Sequence, residues 1–273
     1  MKNIKFLFVA LATLLVVQSC NRDSSPKIKT NDKNNVTLQF DDTRLAGESL
    51  LFGHNYTSSS GQNYQFSKIN YIISNVILTK ADGTEVKYHW NDPNNGAFIV
   101  RNGEGISTVH DFVLKDIPAG DYVKVQFGIG VSPEAYLLGQ DQQGEFWDKA
   151  KDMRWNWKSG YVFVKIEGEY TTTENTQKQF LTHIGNMGKP NDEYPNVYKT
   201  VTLDIKGTAK VRGNISPIVH IVSDFSKYLD GKNKIILNTD NDNKMTPKAP
   251  IVQKAIENIS EVFFVHHTHN NPN

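Results

Sequence analysis

Tyr64-Gln65-Phe66-Ser67-Lys68-Ile69-Asn70-Tyr71-Ile72-Ile73-Ser74-Asn75-Val76-Ile77-Leu78-Thr79 is the stretch that decides the fold. It is apolar on both faces of an extended chain, so it reads as a central strand, bent at Ser74-Asn75. Outward from it, Ala81-Asp82-Gly83-Thr84 is a hairpin turn signal, followed by Glu85 to Trp90 with Val86, Tyr88 and Trp90 on one side. Tyr122 to Val131 carries Val123, Val125, Phe127, Ile129 and Val131 at period two, and Gly160 to Glu169 repeats this through Val162, Val164 and Ile166. Further strands are expected at Val36-Phe40, ended by Asp41-Asp42, and at Gln177-Ile184, Asn196-Ile205, Lys210-Val222 and Lys234-Leu237. Short strands at this spacing predict an all-β fold, a sandwich of antiparallel strands with long loops. Helix is expected at Asp224-Leu229 and, as a C-terminal helix, over Pro247 to Phe263. Ser132 to Lys151 has no strand pattern and is long enough for a functional loop.

The first residues read as a leader. Lys2 and Lys5 precede an apolar run, Phe6 to Val17, too short for a committed membrane span. Val17-Gln18-Ser19-Cys20 places a small residue before the chain's one cysteine, the pattern of a lipoprotein cleavage site. The expected division is a signal peptide over 1–19, a flexible tether over 20–35 after a lipidated Cys20, and one domain over 36–273. The mature domain, about 240 residues, then belongs to a bacterial cell envelope, anchored to a membrane through lipid, with no intramolecular disulfide. The charge is balanced, 30 basic against 29 acidic residues. That argues against a nucleic-acid partner, which requires a basic field.

Chemistry centres on few residues. In Met153-Arg154-Trp155-Asn156-Trp157, the thioether and both indoles fall on alternate positions, so in an extended backbone they share one face, which is either packed or used. The 8 histidines are His54, His89, His110, His183, His220, His266, His267 and His269. In an exported chain without a usable cysteine, histidine and methionine are the natural ligands for a soft or borderline metal. His183 and His89 lie opposite the apolar stripe of their strands, and His54 follows Gly53 in a loop. His220 reads as a core histidine and His110 as a surface one; His266, His267 and His269 read as a mobile tail. Asp240-Asn241-Asp242-Asn243-Lys244 lacks the glycine and closing glutamate of a calcium loop and reads as a polar turn. No nucleophile elbow, phosphate loop or paired-carboxylate pattern is present, so a binding protein is expected rather than an enzyme.

Several motifs occur together in order: Tyr71-Ile72-Ile73-Ser74-Asn75-Val76-Ile77-Leu78, Asp82-Gly83, Ile117-Pro118-Ala119-Gly120-Asp121-Tyr122, Phe127-Gly128-Ile129-Gly130-Val131, Met153-x-Trp155-x-Trp157-x-x-Gly160-Tyr161 and His183-Ile184-Gly185. From about Val36 to Val265 the chain resembles the MbnP-like copper-binding domain. The resemblance implies a β-sandwich that binds a copper ion, in which a partner dihaem cytochrome c peroxidase-like protein oxidises a tryptophan to kynurenine. Carried over, Trp155 is the tryptophan for oxidation, with Trp157 second, and His183, His89 and, more weakly, His54 are ligands. Some relatives have Trp-x-His, and here Trp157 stands in that histidine's place. Indole nitrogen is a very poor ligand because its lone pair belongs to the ring, whereas ring opening yields an aniline amine that coordinates. Cu(I) also accepts thioether, which brings in Met153. The alternative is a surface binding module for carbohydrate or protein, with Trp155, Trp157 and Trp90 as a stacking platform.

Overall fold

A computed structural model describes residues 26–139, 141–241 and 245–272. The leader, Cys20 and part of the expected polar turn at Asp240-Lys244 lie outside the described residues. The strands are β1 (Lys33–Leu45), β2 (Glu48–Ser49), β3 (Tyr56–Thr57), β4 (Asn63–Lys80), β5 (Glu85–Lys87), β6 (Phe98–Gly103), β7 (Val109–Pro118), β8 (Gly120–Ile129), β9 (Val162–Thr171), β10 (Gln177–Gly185), β11 (Lys199–Val211), β12 (Ile215–Asp224) and β13 (Phe263–Pro272).

They form two sheets. The first has the order β13-β12-β1, with β7 and β2 on the far side of β1. The second has the order β10-β9-β4-β8-β11, with β3, β5 and β6 also on β4. β4 is the hub: its first half pairs with β9 and β6 and its second half with β8 and β5. The bend falls at Asn75, whose φ is +52°, and the ladder to β8 shifts register there. Asparagine tolerates this left-handed conformation better than a branched residue.

The sheets meet through aromatic rings. Phe40 on β1 packs edge-on to Phe127 on β8 at 5.4 Å and to Phe263 on β13 at 6.1 Å, and Tyr71 on β4 lies 5.6 Å from Phe263. Edge-to-face contacts at these separations add about 0.5–1.5 kcal/mol per pair beyond area burial. The two-sheet, all-β expectation therefore holds, with four corrections. First, β1 pairs with β12 in parallel, so the sheets are not wholly antiparallel. Second, β1 begins at Lys33 and runs through Asp41-Asp42 instead of ending there. Asp42 points into the core, where the Tyr71 hydroxyl at 2.8 Å and the Asn102 amide donate to it. Within the expected tether, Pro26 is also held, since Arg212 Nε donates to its carbonyl at 2.7 Å.

Third, the late helix covers only Pro250–Ile259, and a strand follows it. His266, His267 and His269 are thus residues of β13, not a mobile tail. Fourth, Lys234-Leu237 is not a strand, and β5 stops at Lys87 because His89 takes a φ of +40°. The described residues of the connection from Ser132 to Lys151 form short helical turns at Pro133–Leu137, Asp141–Gln143 and Gly144–Lys149, the first capped by the Ser132 hydroxyl, which accepts from the Ala135 N–H. Among the described residues no helix is long and apolar enough to cross a membrane.

Candidate functional site

The alternation of β9 and β10 builds the site. Phe180, Thr182 and Ile184 are buried, and so are Val164, Ile166 and Gly168 opposite them. Lys165, Glu167, Leu181 and His183 therefore share the outer face. His183 pairs with Lys165 and Leu181 with Glu167, which sets His183 and Glu167 on the diagonal. His183 Nε2 lies 2.8 Å from Glu167 Oε1, and Lys68 on the adjoining β4 donates to Glu167 Oε2 at 2.8 Å. The hydrogen bond from His183 holds the Glu167 carboxyl down at about 2, opposed by burial and assisted by Lys68. An ionised carboxylate only accepts, so Nε2 carries the proton. Nδ1 is left as the free lone pair.

The Trp155 loop folds over this face. Arg154 and Tyr161 form an isolated antiparallel bridge, and the Trp155 N–H donates to the Gly160 carbonyl. The indole Nε1–H donates to the Asn186 carbonyl at 2.7 Å, and Asn186 Oδ1 accepts the Tyr161 N–H at 2.9 Å. Asn186 thus clamps both sides of the loop. Gly160, at φ +133°, permits the approach, since a Cβ there would sit 2.2 Å from the Asn186 carbonyl oxygen. The Trp155 ring centroid is 6.4 Å from that of His183 and 5.5 Å from that of Trp157.

Of the sequence-predicted site residues, the fold brings together Trp155 and His183. Met153 does not join them: it is fully buried in the main core, while Trp155 packs in a separate small cluster with Val162 and Met187, bordered by Tyr194 and Met245. Nor do the three alternate positions share a face, because Met153 ends a 3-10 turn and the extended backbone starts only at Arg154. His89 is far into another feature, a groove of about 940 Å³ lined by Tyr88, Phe98 and Phe112, with Asp92 Oδ2 at 3.9 Å from its Nδ1. His54 is exposed and makes no side-chain hydrogen bond, ion pair or ring contact with Trp155 or His183. Its neighbour Gly53 lines a shallow groove that also includes Glu167.

Trp155 is 7% exposed and Trp157 is 62% exposed, so only one indole face is open to a ligand, and a two-ring platform is not formed. Trp90 is capped by Lys87 at 4.9 Å. Sequence reasoning missed Glu167, Asn186, Met187 and Met245. The one visible sign was Gly185 after His183; a Cβ at Gly185 would meet the Tyr161 carbonyl at 2.0 Å, so the glycine marks where the loop lies on the strand.

For copper, this donor set is a partial fit. As encoded it offers one imidazole nitrogen, from His183, while the thioether of Met187, a donor type that suits Cu(I), packs with the indole. The indole adds nothing until its ring is opened.

Comparison with known proteins locates the chain. The MbnP family model matches residues 33–247, well over half of the sequence. The solved structure of MbnP from Methylosinus trichosporium is similar at 14% identity with a TM-score of 0.46, over 81% of this chain and 87% of that one. No curated protein matches.

Proposed function

The chain belongs to the MbnP family, and from that premise we propose that it is an exported, lipid-anchored, non-catalytic copper-handling protein, binding Cu(I) at His183 once Trp155 is kynurenine. Family membership supports the copper-related role. The observation that carries the site is a buried indole clamped beside a carboxylate-oriented imidazole.

The maturation step is an oxidation of this chain by a partner. Two oxygen atoms enter across the pyrrole carbon–carbon double bond, supplied by two equivalents of a peroxide that is reduced to water. Hydrolysis then removes formate, and indole Nε1 becomes an aniline amine. That amine keeps N–H groups for the Asn186 carbonyl and gains a lone pair for the metal. The exposed Trp157 ring, 5.5 Å from Trp155, offers a route by which an electron leaves the buried ring toward a docked dihaem enzyme. Glu167 fixes the tautomer of His183, and the cluster around Met187 keeps water from the donor atoms.

The test is a Cu(I) competition titration on protein from its native host. Wild type takes up Cu(I), and His183→Ala and Trp155→Phe do not. Equal uptake by both variants overturns the site. Glycan binding lost on Trp157→Ala, with no effect of copper, would support the surface-module reading instead.

A further inference from the structure

A second cluster of donor atoms lies on the other sheet. β12 and β13 pair in register from Ile215 through His220, where His220 faces His267, and then the register shifts so that Ile221 faces Val265. His266 is the extra residue of this bulge. In a regular strand His266 and His267 would point to opposite faces; the bulge turns both toward His220. His220 Nδ1 lies 3.3 Å from His267 Nδ1, and His266 Nδ1 lies 2.7 Å from that same atom. One nitrogen from each of the three rings falls within 4.8 Å of the others, the one such grouping of three or more metal-ligating side chains among the described residues.

The outer partners are those of a metal site. His220 Nε2 is 3.0 Å from Asp41 Oδ2 on β1. By the same reasoning as at His183, the carboxylate fixes the proton on Nε2 and leaves Nδ1 free. Asp41 Oδ1 is buried without a hydrogen-bond partner, so this carboxylate has no other engagement on that side. His267 Nε2 is held by His269 Nε2 at 2.8 Å, which leaves its Nδ1 facing the other two rings.

We propose that His220, His266 and His267 form a binding site for a divalent first-row transition ion, Cu(II) in preference to Zn(II), with Asp41 and His269 as positioning residues. Imidazole suits both ions, and Cu(II) binds the more tightly at a given nitrogen site. Metal–nitrogen bonds of about 2.0–2.1 Å place neighbouring ligand atoms roughly 2.8–3.4 Å apart, from the tetragonal arrangement Cu(II) favours to the tetrahedral one of Zn(II). The His220–His267 separation of 3.3 Å lies within that range, and the exposed His266 ring needs only a small rotation. The site is independent of the Trp155–His183 reading: it uses another sheet, needs no covalent change and prefers a harder ion.

The test is Cu(II) titration of the untagged chain produced in a foreign host, followed by calorimetry and electron paramagnetic resonance. One equivalent binds with hyperfine splitting from several imidazole nitrogens. The double variant His266→Gln/His267→Gln, one position exposed and the other half-buried, loses the splitting and at least about ten-fold in affinity, and Asp41→Asn loses about ten- to a hundred-fold. His183→Ala leaves the spectrum unchanged. A double variant that melts like wild type and keeps the wild-type spectrum overturns the proposal. So does Cu(II) that free imidazole strips from wild type and variant alike.

Discussion

Two faces of the molecule carry the same device in different company. On the second sheet, Glu167 holds His183 through Nε2 at 2.8 Å; on the first, Asp41 holds His220 through Nε2 at 3.0 Å. Each carboxylate comes from a neighbouring strand, and each imidazole turns Nδ1 away from it. Around His183 the neighbours are an indole and a thioether-lined cluster, while around His220 they are two more imidazoles. If both proposed sites hold, the carboxylate–imidazole unit does not choose the metal. On the two proposals its neighbours do, one site being complete on folding and the other only after a covalent change.

The largest expected effect is at Trp155. Trp155→Phe abolishes both the mass change and Cu(I) uptake in the native host, while Cu(II) binding at the first sheet stays at the wild-type level by calorimetry. Loss at both faces would break the comparison. Gly160→Ala comes next: its positive φ and the clash with the Asn186 carbonyl lower stability by about 2 kcal/mol or more, read as a fall in melting temperature. Maturation of Trp155 fails with it. Glu167→Gln leaves the indole in place and weakens Cu(I) by about ten- to a hundred-fold, without changing Cu(II).

The smallest effect is on pH. Glu167 is depressed in the fold from 4.5 to about 2, so the stability it contributes is complete above about 4.5 and is lost as pH falls toward 2. The melting-temperature deficit of Glu167→Gln should shrink between pH 7 and pH 3. Asp42 has the opposite sign. Burial raises it from 3.8 to about 6, so its contribution is complete below 3.8 and declines as pH rises through 6. Thermal melts of the apo protein across this range separate the two.

The fold was legible where periodicity spoke for it. The Tyr64–Thr79 run, apolar on both sides, became the hub strand, and its bend fell at the named residue. Asp41-Asp42 misled because a pair of acids reads as a break, yet alternation sends Asp41 outward to His220 and Asp42 inward to Tyr71 and Asn102. The pairing of Trp155 with His183 was legible through the motif series. Glu167 was not, because a diagonal partner exists only once strand register is known. The C-terminal histidines were read as a tail for a similar reason: no local pattern announces a bulge, which depends on the partner strand.

The most direct measurement is the mass of the tryptic peptide Trp155–Lys158 from copper-loaded protein isolated from its native host. Kynurenine at Trp155, with Trp157 intact in the fragment ions, is the expected result. An unmodified peptide from protein that carries stoichiometric Cu(I), with that copper still lost on His183→Ala, would contradict it.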